Sequence, residues 1–397
     1  MNTTDKRPLD GVTVVTLEHA IAAPFATRQL ADLGARVIKV ERPGVGDFAR
    51  AYDDRVRGLA SHFVWCNRSK ESLTLDVKRP EAREILARLV ARADVLVQNL
   101  APGAAARLGL SEEALRPGHP RLIVCDISGY GGAGPYRDKK AYDLLIQSEA
   151  GLLSVTGTPD EPVKVGLSIA DIAAGMYAYT GILGALLQRG RTGRGSRVEI
   201  SMLEALGEWM GFPLYYAFEG APPPPRTGAF HATIFPYGPF PAGDGGTVML
   251  GLQNEREWAA FCREVLGEPG LAGDERFDSN VRRVANRDAL TAVIVAGFAR
   301  LTAPEVVARL DAAGIANAAV NDMRALWAHP QLAARGRWRE VGTPAGPVPA
   351  LLPPAGSDAF EAAMGPVPAL GEHRRAILGE LGYDADAIAG LVESGAV

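Results

Sequence analysis

Residues 12–40, VTVVTLEHAIAAPFATRQLADLGARVIKV, contain the pattern that decides the fold. An apolar, β-branched run over Val12–Leu17 is followed by a helical pattern and then by a second buried-strand pattern over Val37–Val40. Pro24 suits the first turn of the intervening helix, and Gly34 suits the position just after its end. Two strand patterns joined by a helix predict a parallel βαβ unit.

The same alternation continues along the first half of the chain. A helix is predicted over Glu81–Ala91, opened by Pro80. Four further strands are predicted, at Leu73–Val77, Asp94–Val97, Leu122–Ile127 and Arg197–Met202. Strands that alternate with helices predict an α/β fold with a doubly wound, Rossmann-like parallel sheet.

The composition changes after this region. The proline-rich segment 220–225 is typical of an extended connection between domains. Beyond it, a smaller α+β domain is predicted over 230–330. Its elements are a strand at Thr247–Leu252 and helices at Glu257–Leu266, Arg287–Ala299 and Pro304–Ala312, the last opened by a capping box of Thr302 and Glu305. The proline-rich stretch Val348–Pro354 then indicates a return to the first domain, with a terminal helix at His373–Leu381.

Composition limits the class of protein. A chain of 397 residues predicts two or three domains. With 42 Lys and Arg against 46 Asp and Glu, the net charge of −4 argues against a nucleic-acid partner. The three cysteines form no disulfide or metal-binding pattern, and the N-terminus lacks a signal-peptide pattern, so we expect a cytoplasmic protein without a membrane partner.

Several catalytic motifs are missing or incomplete. Segment 129–134, GYGGAG, matches GxGxxG after a predicted strand, but no helical pattern follows it, so a turn is favoured over a nicotinamide site. The six histidines never occur at metal-ligand spacing, and we expect no metal. No P-loop and no GxSxG elbow occur.

The most informative segment is 166–175, GLSIADIAAG, which opens a long apolar helix. One face of this helix carries large apolar side chains and another carries small residues, so we expect it to be buried with a second backbone packed against the small stripe. The large residues are Ile172, Met176, Tyr179, Leu183 and Leu186, and the small ones are Ala174, Ala178, Gly181 and Ala185.

Asp171, at the start of this helix, has two interpretations. With Ser168 it matches a capping box, which is a structural role. Alternatively, the helix N-terminus lowers the pKa of the carboxyl group and keeps a buried carboxylate ionised as a nucleophile toward a thioester.

Many segments, in order, resemble the family III CoA-transferases (CaiB/BaiF-like), the group of formyl-CoA, carnitinyl-CoA and mesaconyl-CoA transferases. They are 9–20 LDGVTVVTLEHA, 22–24 AAP, 30–43 LADLGARVIKVERP, 46–47 GD, 67–70 NRSK, 75–78 LDVK, 94–103 DVLVQNLAPG, 142–143 YD, 191–195 RTGRG and 329–332 HPQL. The resemblance implies a large CoA-binding domain built from residues 1–205 and 340–397, a linker at 206–229 and an inserted small domain at 230–330. It also implies a homodimer of interlocked subunits.

The resemblance implies a reaction as well. Asp171 matches the catalytic aspartate, which exchanges CoA between an acyl-CoA thioester and a small carboxylic acid through aspartyl anhydride and aspartyl-CoA thioester intermediates. Asp143 matches an acidic position near the reaction centre that orients the aspartate or holds a proton. Coenzyme A is a cosubstrate, and no tightly bound cofactor is expected. Positions matching CoA contacts are His19, Ala20, Ile21, Ala22, Arg42, Leu75, Lys78, Asn99, Leu100, Arg107 and Lys140.

One region departs from the family pattern. Formyl-CoA transferase has a run of glycines over its active site, whereas 226–231, RTGAFH, has a single glycine. Arg226 and His231 are therefore candidates for binding the far carboxylate of a dicarboxylic substrate. The segments 208–211 and 233–238 are most similar to the branch acting on mesaconate, itaconate, citramalate and succinate.

Two other functions stay open. α-Methylacyl-CoA racemase shares the fold but uses a histidine before the acidic position, where this chain has Tyr142. A non-catalytic acyl-CoA-binding protein would use the same groove without turnover.

Overall fold

The computed structural model describes residues 6–397, which form two compact units. The larger unit comprises residues up to Ala150 together with Val165–Gly211 and Gln331–Val397. The smaller unit comprises Gly151–Lys164 and Phe212–Pro330. The predicted linker, 206–229, is divided between the two units at residue 211, and the sequence did not indicate that 151–164 belongs with the smaller unit.

The larger unit is built on a parallel six-stranded sheet with the strand order β3-β2-β1-β4-β5-β6. Its strands are β1 (Thr13–Leu17), β2 (Arg36–Glu41), β3 (Lys70–Thr74), β4 (Val95–Gln98), β5 (Ile123–Ser128) and β6 (Arg197–Ser201). The predicted parallel α/β sheet is confirmed. The strand order reverses beside β1 and β4, which creates a crevice at the carboxyl ends of these strands.

The remaining strands form two small antiparallel sheets. One, in the smaller unit, contains β7 (Tyr237–Pro241), β8 (Thr247–Gly251) and β9 (Ala316–Ala319), and the other, in the larger unit, contains β10 (Trp338–Val341) and β11 (Val348–Leu351).

Helices connect and cover the sheets. They are α1 (Ala22–Asp32), α2 (Ser61–Cys66), α3 (Pro80–Val90), α4 (Ala104–Arg107), α5 (Glu112–Leu115), α6 (Asp143–Glu149), α7 (Leu152–Val155), α8 (Ile169–Thr192), α9 (Met202–Trp209), α10 (Gly211–Tyr216), α11 (Glu255–Ala260), α12 (Asn280–Ala285), α13 (Arg287–Phe298), α14 (Ala303–Ala312), α15 (Met323–Trp327), α16 (Pro330–Ala334), α17 (Arg374–Glu380) and α18 (Ala385–Glu393). Short 3-10 turns lie at Phe48–Ala51, Phe218–Gly220 and Pro269–Gly273, and a π turn continues α11 over Phe261–Leu266.

The first βαβ unit folds as its sequence predicts. Helix α1 is followed by Gly34, whose φ is +101°. A Cβ atom there would lie 2.4 Å from Asp10 Oδ1, so glycine is required to end the helix and turn the chain into β2. Segment 129–134 is not followed directly by a helix, because α6 starts only at Asp143, and the interpretation as a turn is confirmed.

Both ends of the described chain build the core of the larger unit. Ile85 and Leu89 of α3 pack with apolar residues of the sheet, and Ile377 and Leu378 of α17 pack into the same cluster. The C-terminal Val397 is also buried there. Burial of this apolar surface drives the docking of residues 331–397. The larger unit therefore needs these residues to complete its hydrophobic core.

Helix α8 packs against α1, β5, β6 and α9. Its small residues Ala174 and Ala178 are fully buried, and a Cβ on Gly175 would lie 2.7 Å from the carbonyl oxygen of Ala22. The predicted close approach of a second backbone is therefore present. The opposite stripe of large residues is only partly buried, so the prediction of a helix buried on both faces is wrong for this chain. By length and composition alone α8 is apolar enough to cross a membrane, and 39% of its apolar stretch is buried within the protein.

The smaller unit has its own aromatic core. Phe235, Phe240, Phe261 and Phe298 are fully buried around the β7-β8-β9 sheet, together with residues of α13 and α14. The predicted capping box at the start of α14 is present, with the Thr302 hydroxyl and the Glu305 carboxylate bonding to each other's backbone amides. The predicted α+β character of this region is confirmed.

Candidate active site

Asp171 lies in the first turn of α8, where the backbone amides of the helix point toward its start. The Ser168 side chain makes no capping hydrogen bond, so the predicted capping box is wrong. Instead, Asp143 Oδ1 accepts hydrogen bonds from the amides of Ala170 at 2.8 Å and Asp171 at 3.3 Å. A carboxylate from another helix therefore caps α8 and holds the backbone of Asp171, leaving the side chain of Asp171 free of this structural role.

Asp143 is itself held in place. It is the first residue of α6, and its Oδ2 atom accepts a hydrogen bond of 2.7 Å from Gln147 Nε2, one turn later. The same amide group accepts from the amide of Val165 at 3.0 Å and donates to the carbonyl of Leu167 at 3.5 Å. Gln147 is fully buried. Sequence reasoning missed this residue, because two of its three partners, Val165 and Leu167, lie 18 and 20 residues further along the chain.

The electrostatic environment of Asp171 differs from the expectation. Burial, together with the negative charge of Asp143, raises the pKa of Asp171 to about 7. The predicted lowering by the helix N-terminus is therefore outweighed, because the nearest amides already bind the carboxylate of Asp143. A carboxyl group with such a pKa is still substantially ionised near neutral pH, and it is more basic than an exposed aspartate.

The loop between β1 and α1 contains three of the predicted CoA contacts, His19, Ala20 and Ile21, and a fourth, Ala22, is the first residue of α1. Asn99 clamps the backbone of His19, accepting from its N–H and donating to its C=O, both at 2.9 Å. Ala20 has a φ of +60°, and its amide donates to Asp47 at 3.1 Å. Ile21 and Ala22 are buried, so their side chains face the protein. The loop is thus fixed in a conformation that a non-glycine residue rarely adopts.

A row of aromatic rings begins at this loop and ends at Tyr52, whose hydroxyl senses the charge of Asp171. The ring of His19 stacks on Phe48 at 5.2 Å, and Phe48 contacts Tyr52 at 5.8 Å. Burial and the charges of Asp47 and Asp171 raise the pKa of Tyr52 to about 12. Burial lowers the pKa of His19, so this ring is neutral at pH 7. The structure therefore brings the His19 loop and Asp171 into one region of the larger unit.

A buried ionic network lies beneath the loop, and the sequence analysis did not predict it. Glu18, Lys39, Lys70 and Asp47 are all nearly or fully buried. Lys39 Nζ lies 2.8 Å from Asp47 and 3.3 Å from Glu18, and Lys70 Nζ lies 2.6 Å from Glu18. Burial alone would raise the pKa of Glu18, but Lys39 and Lys70 hold it at about 2. This network fixes Asp47, which in turn holds the amide of Ala20.

The predicted cationic contacts are positioned as solvent-facing groups. All four side chains are exposed, and among residues 6–397 none of them makes a hydrogen bond or an ion pair. They are Arg42, Lys78, Arg107 and Lys140. Arg42 directly follows β2, and Leu100 follows β4 and is partly buried. Leu75 differs, because its side chain is buried in the core cluster and only its backbone remains for a ligand.

Arg226 and His231 belong to the smaller unit, where both hold local loops. Arg226 donates to the carbonyls of Thr158 at 2.9 Å and Pro159 at 2.8 Å. The ring of His231 stacks on Tyr237 at 5.2 Å, and its Nδ1 atom accepts from the amide of Thr233. Part of the hydrogen-bonding capacity of each side chain is therefore already used.

The larger unit thus combines a doubly wound sheet with a half-buried carboxylate at its crevice side, as in enzymes that use a carboxylate nucleophile. The profile described as CoA-transferase family III matches residues 9–374. The chain belongs to this family and is an enzyme of the CoA-transferase type.

Individual relatives agree over nearly the whole chain. The chain is 34% identical over 396 residues to the succinyl-CoA:glutarate CoA-transferase of Mus musculus, covering 98% of this chain and 90% of that protein. It is 33% identical to the succinyl-CoA--D-citramalate CoA-transferase of Chloroflexus aurantiacus, covering 94% of both. A crystal structure of a CAIB/BAIF family protein from Brucella suis matches with a TM-score of 0.84 at 35% identity, covering 95% of this chain and 100% of that chain.

Proposed function

We propose that the enzyme transfers CoA between an acyl-CoA thioester and a small dicarboxylate of four or five carbons, with Asp171 as the covalent nucleophile. The observation that carries this proposal is the Asp171 carboxyl group, which is partly buried, has a pKa of about 7 and is positioned by Asp143. Relatives named for glutarate, D-citramalate and mesaconate support a dicarboxylate as the acceptor.

The reaction proceeds in four exchanges at three carbonyl carbons: that of the donor acyl group, that of Asp171 and that of the acceptor. An oxygen of Asp171 attacks the thioester carbonyl, the C–S bond breaks, and a mixed anhydride and CoA thiolate form. The thiolate attacks the aspartyl carbonyl, releasing the donor acid as a carboxylate and leaving an aspartyl-CoA thioester. The acceptor carboxylate attacks this thioester, and the released thiolate then attacks the new anhydride on its acceptor side. Asp171 is regenerated as a carboxylate, and no proton is consumed.

Asp143 serves this sequence by orienting Asp171 rather than by reacting. Both of its oxygens are occupied, one by the amides of α8 and the other by Gln147. Burial and, second to it, the charge of Asp143 raise the pKa of Asp171, which increases the basicity of the nucleophile. Water must be excluded while the anhydride exists, since hydrolysis would waste the activated acyl group.

Coenzyme A is proposed to bind along the carboxyl ends of β1, β2 and β4. The fixed loop at His19 and Ala20 would line the pantetheine arm. The exposed side chains of Arg42 and Arg107 would contact phosphates, to which forked guanidinium donors are suited. Lys78, Lys140, Asn99, Leu100 and the backbone of Leu75 are retained as further contacts.

The assembly is proposed to be a homodimer of interlocked subunits located in the cytoplasm. Large apolar side chains of α9 and α10 support an interface, because Trp209 is 45% exposed and Tyr215 is 82% exposed. Light scattering tests this proposal, and a mass of a single chain at micromolar concentration would contradict it.

Arg226 and His231 are proposed to select a dicarboxylate by binding its far carboxylate. The test is the His231→Ala variant assayed with monocarboxylate and dicarboxylate acceptors. We expect KM to rise for the dicarboxylate alone. Unchanged kinetics with both acceptors would remove His231 from the site.

The proposed reaction is tested with succinyl-CoA as donor and a panel of acceptors: glutarate, itaconate, mesaconate, citramalate, malate and, as a monocarboxylate, acetate. The new thioester is quantified by liquid chromatography. We expect transfer to at least one dicarboxylate, and loss of transfer in Asp171→Asn. Incorporation of solvent deuterium into a 2-methylacyl-CoA without any acceptor would instead favour the racemase, and tight binding of CoA esters without turnover would favour a binding protein.

A further inference from the structure

We propose that Gln147 is a positioning residue of the active site, whose buried amide fixes both the Asp143 carboxylate and the segment leading into α8 so that Asp171 is presented to the thioester. This inference rests on the proposed role of Asp171 as the nucleophile.

The geometry gives one side chain three separate bonds. Gln147 follows Asp143 by four residues in α6, so both side chains lie on the same face of the helix. Its Nε2 atom donates to Asp143 Oδ2 at 2.7 Å and to the carbonyl of Leu167 at 3.5 Å, while its Oε1 atom accepts from the amide of Val165 at 3.0 Å. Asp143 Oδ1 accepts hydrogen bonds from the first amides of α8. Asp143 and Gln147 together therefore hold the backbone from Val165 to Asp171 in place.

A neutral donor is needed at this position. A lysine or arginine would also orient Asp143, but its positive charge would cancel the negative charge that raises the pKa of Asp171. Glutamine supplies the hydrogen bond and leaves the charge of Asp143 in place. Since Gln147 is fully buried, each bond that it loses would leave a polar partner unsatisfied.

The Gln147→Glu variant separates positioning from packing, because it preserves shape. When the new carboxyl group is protonated it donates to Asp143 as the amide does, and when it is ionised it repels Asp143. We therefore expect the ratio of variant to wild-type kcat to be close to one at pH 6 and to fall about ten- to hundredfold at pH 9, the effect of a misplaced catalytic group. KM for the acyl-CoA stays within twofold, roughly, since no CoA contact is changed.

Other ionisable groups on the packed elements are present in both proteins. They are Asp143 and Glu149 on α6, Asp171, Tyr177, Tyr179, Arg189 and Arg191 on α8, and Glu204 and Glu208 on α9. Tyr142 directly precedes α6, and Tyr52 senses the charge of Asp171. Because these groups are the same in wild type and variant, the ratio of rates isolates the substituted side chain.

Two further variants complete the test. Gln147→Met keeps the volume but makes none of the three bonds, so its kcat is expected to be low at every pH. Gln188→Glu makes the same chemical change on the exposed part of α8 and is expected to behave as wild type. A Gln147→Glu ratio that does not change with pH, or a Gln147→Met variant with wild-type kcat, would overturn the inference.

The mass of the protein after incubation with acyl-CoA separates this inference from the proposed function. If wild type forms no adduct on Asp171, the proposed nucleophile is wrong and the inference fails with it. If wild type forms the adduct and Gln147→Glu forms it equally fast at pH 9, only the role of Gln147 is wrong.

Discussion

Replacing Asp171 by asparagine is expected to stabilise the protein at alkaline pH while abolishing its activity. In the folded protein, burial and the charge of Asp143 raise the pKa of Asp171 from its ordinary value of 3.8 to about 7. Between these two values the folded state binds more protons than the unfolded state, so stability falls as pH rises from about 4 to about 7 and stays reduced above that range.

The magnitude follows from the two pKa values. At 1.36 kcal/mol per pKa unit, an ionised Asp171 costs the folded state about 4 kcal/mol, which is an upper limit because the group is only partly buried. At pH 5 the cost is roughly 1.5 kcal/mol, because the folded carboxyl group is still protonated there. Asparagine carries no charge at any pH, so it removes this cost.

Thermal unfolding followed by circular dichroism measures the effect at pH 5 and pH 8.5. We expect Tm of Asp171→Asn to exceed that of wild type by several degrees at pH 8.5, and by less than half as much at pH 5. Asp160→Asn, at an exposed position of the smaller unit, is the matched control and leaves Tm unchanged at both pH values. A gain that is equal at both pH values, or a loss at pH 8.5, would refute the assigned electrostatics.

Three further predictions concern rate and stability. The kcat/KM of wild type rises with pH as Asp171 ionises, with a midpoint at about 7 and a plateau about one pH unit higher, and Asp143→Asn moves that midpoint to lower pH; a midpoint that does not move excludes the coupling. Lys39→Met leaves buried carboxylates without their partner and lowers the free energy of unfolding by about 3–5 kcal/mol, as measured by denaturant titration. Gly175→Ala places a methyl group against α1 and destabilises by about 1–3 kcal/mol, whereas Gly184→Ala, which meets no atom within 4 Å, is neutral or stabilising in the same titration.

The parallel sheet could be predicted because its information is local. Apolar runs, a proline at a helix start and Gly34 at a helix end each act within a few residues. The placement of β3 was wrong for the same reason. The sequence shows an apolar run at Leu73–Val77, but the strand begins at Lys70, whose charge is buried through a salt bridge with Glu18. Apolar periodicity cannot indicate a lysine that is buried by a partner remote along the chain.

In the candidate site too, local features could be predicted and tertiary contacts could not. Asp171 was found through its position at a helix start and through the family resemblance. The carboxylate that caps the start of α8 belongs to Asp143, which lies on α6. The Gln147 side chain bonds to the backbone of Val165, in the segment before α8. These contacts depend on the tertiary fold, so no spacing rule within one helix could predict them. No helix was predicted over residues 143–149, so no local pattern pointed to Gln147.

The central claim is that Asp171 forms a covalent bond with the acyl group and then with CoA. The most direct measurement is the mass of the intact protein and of its Asp171 peptide after incubation with succinyl-CoA without an acceptor, with and without hydroxylamine. We expect a CoA thioester on Asp171 that hydroxylamine converts to a hydroxamate and that is missing in Asp171→Asn. An unmodified Asp171 peptide in an enzyme that still transfers CoA, or an equal adduct in Asp171→Asn, would contradict the account.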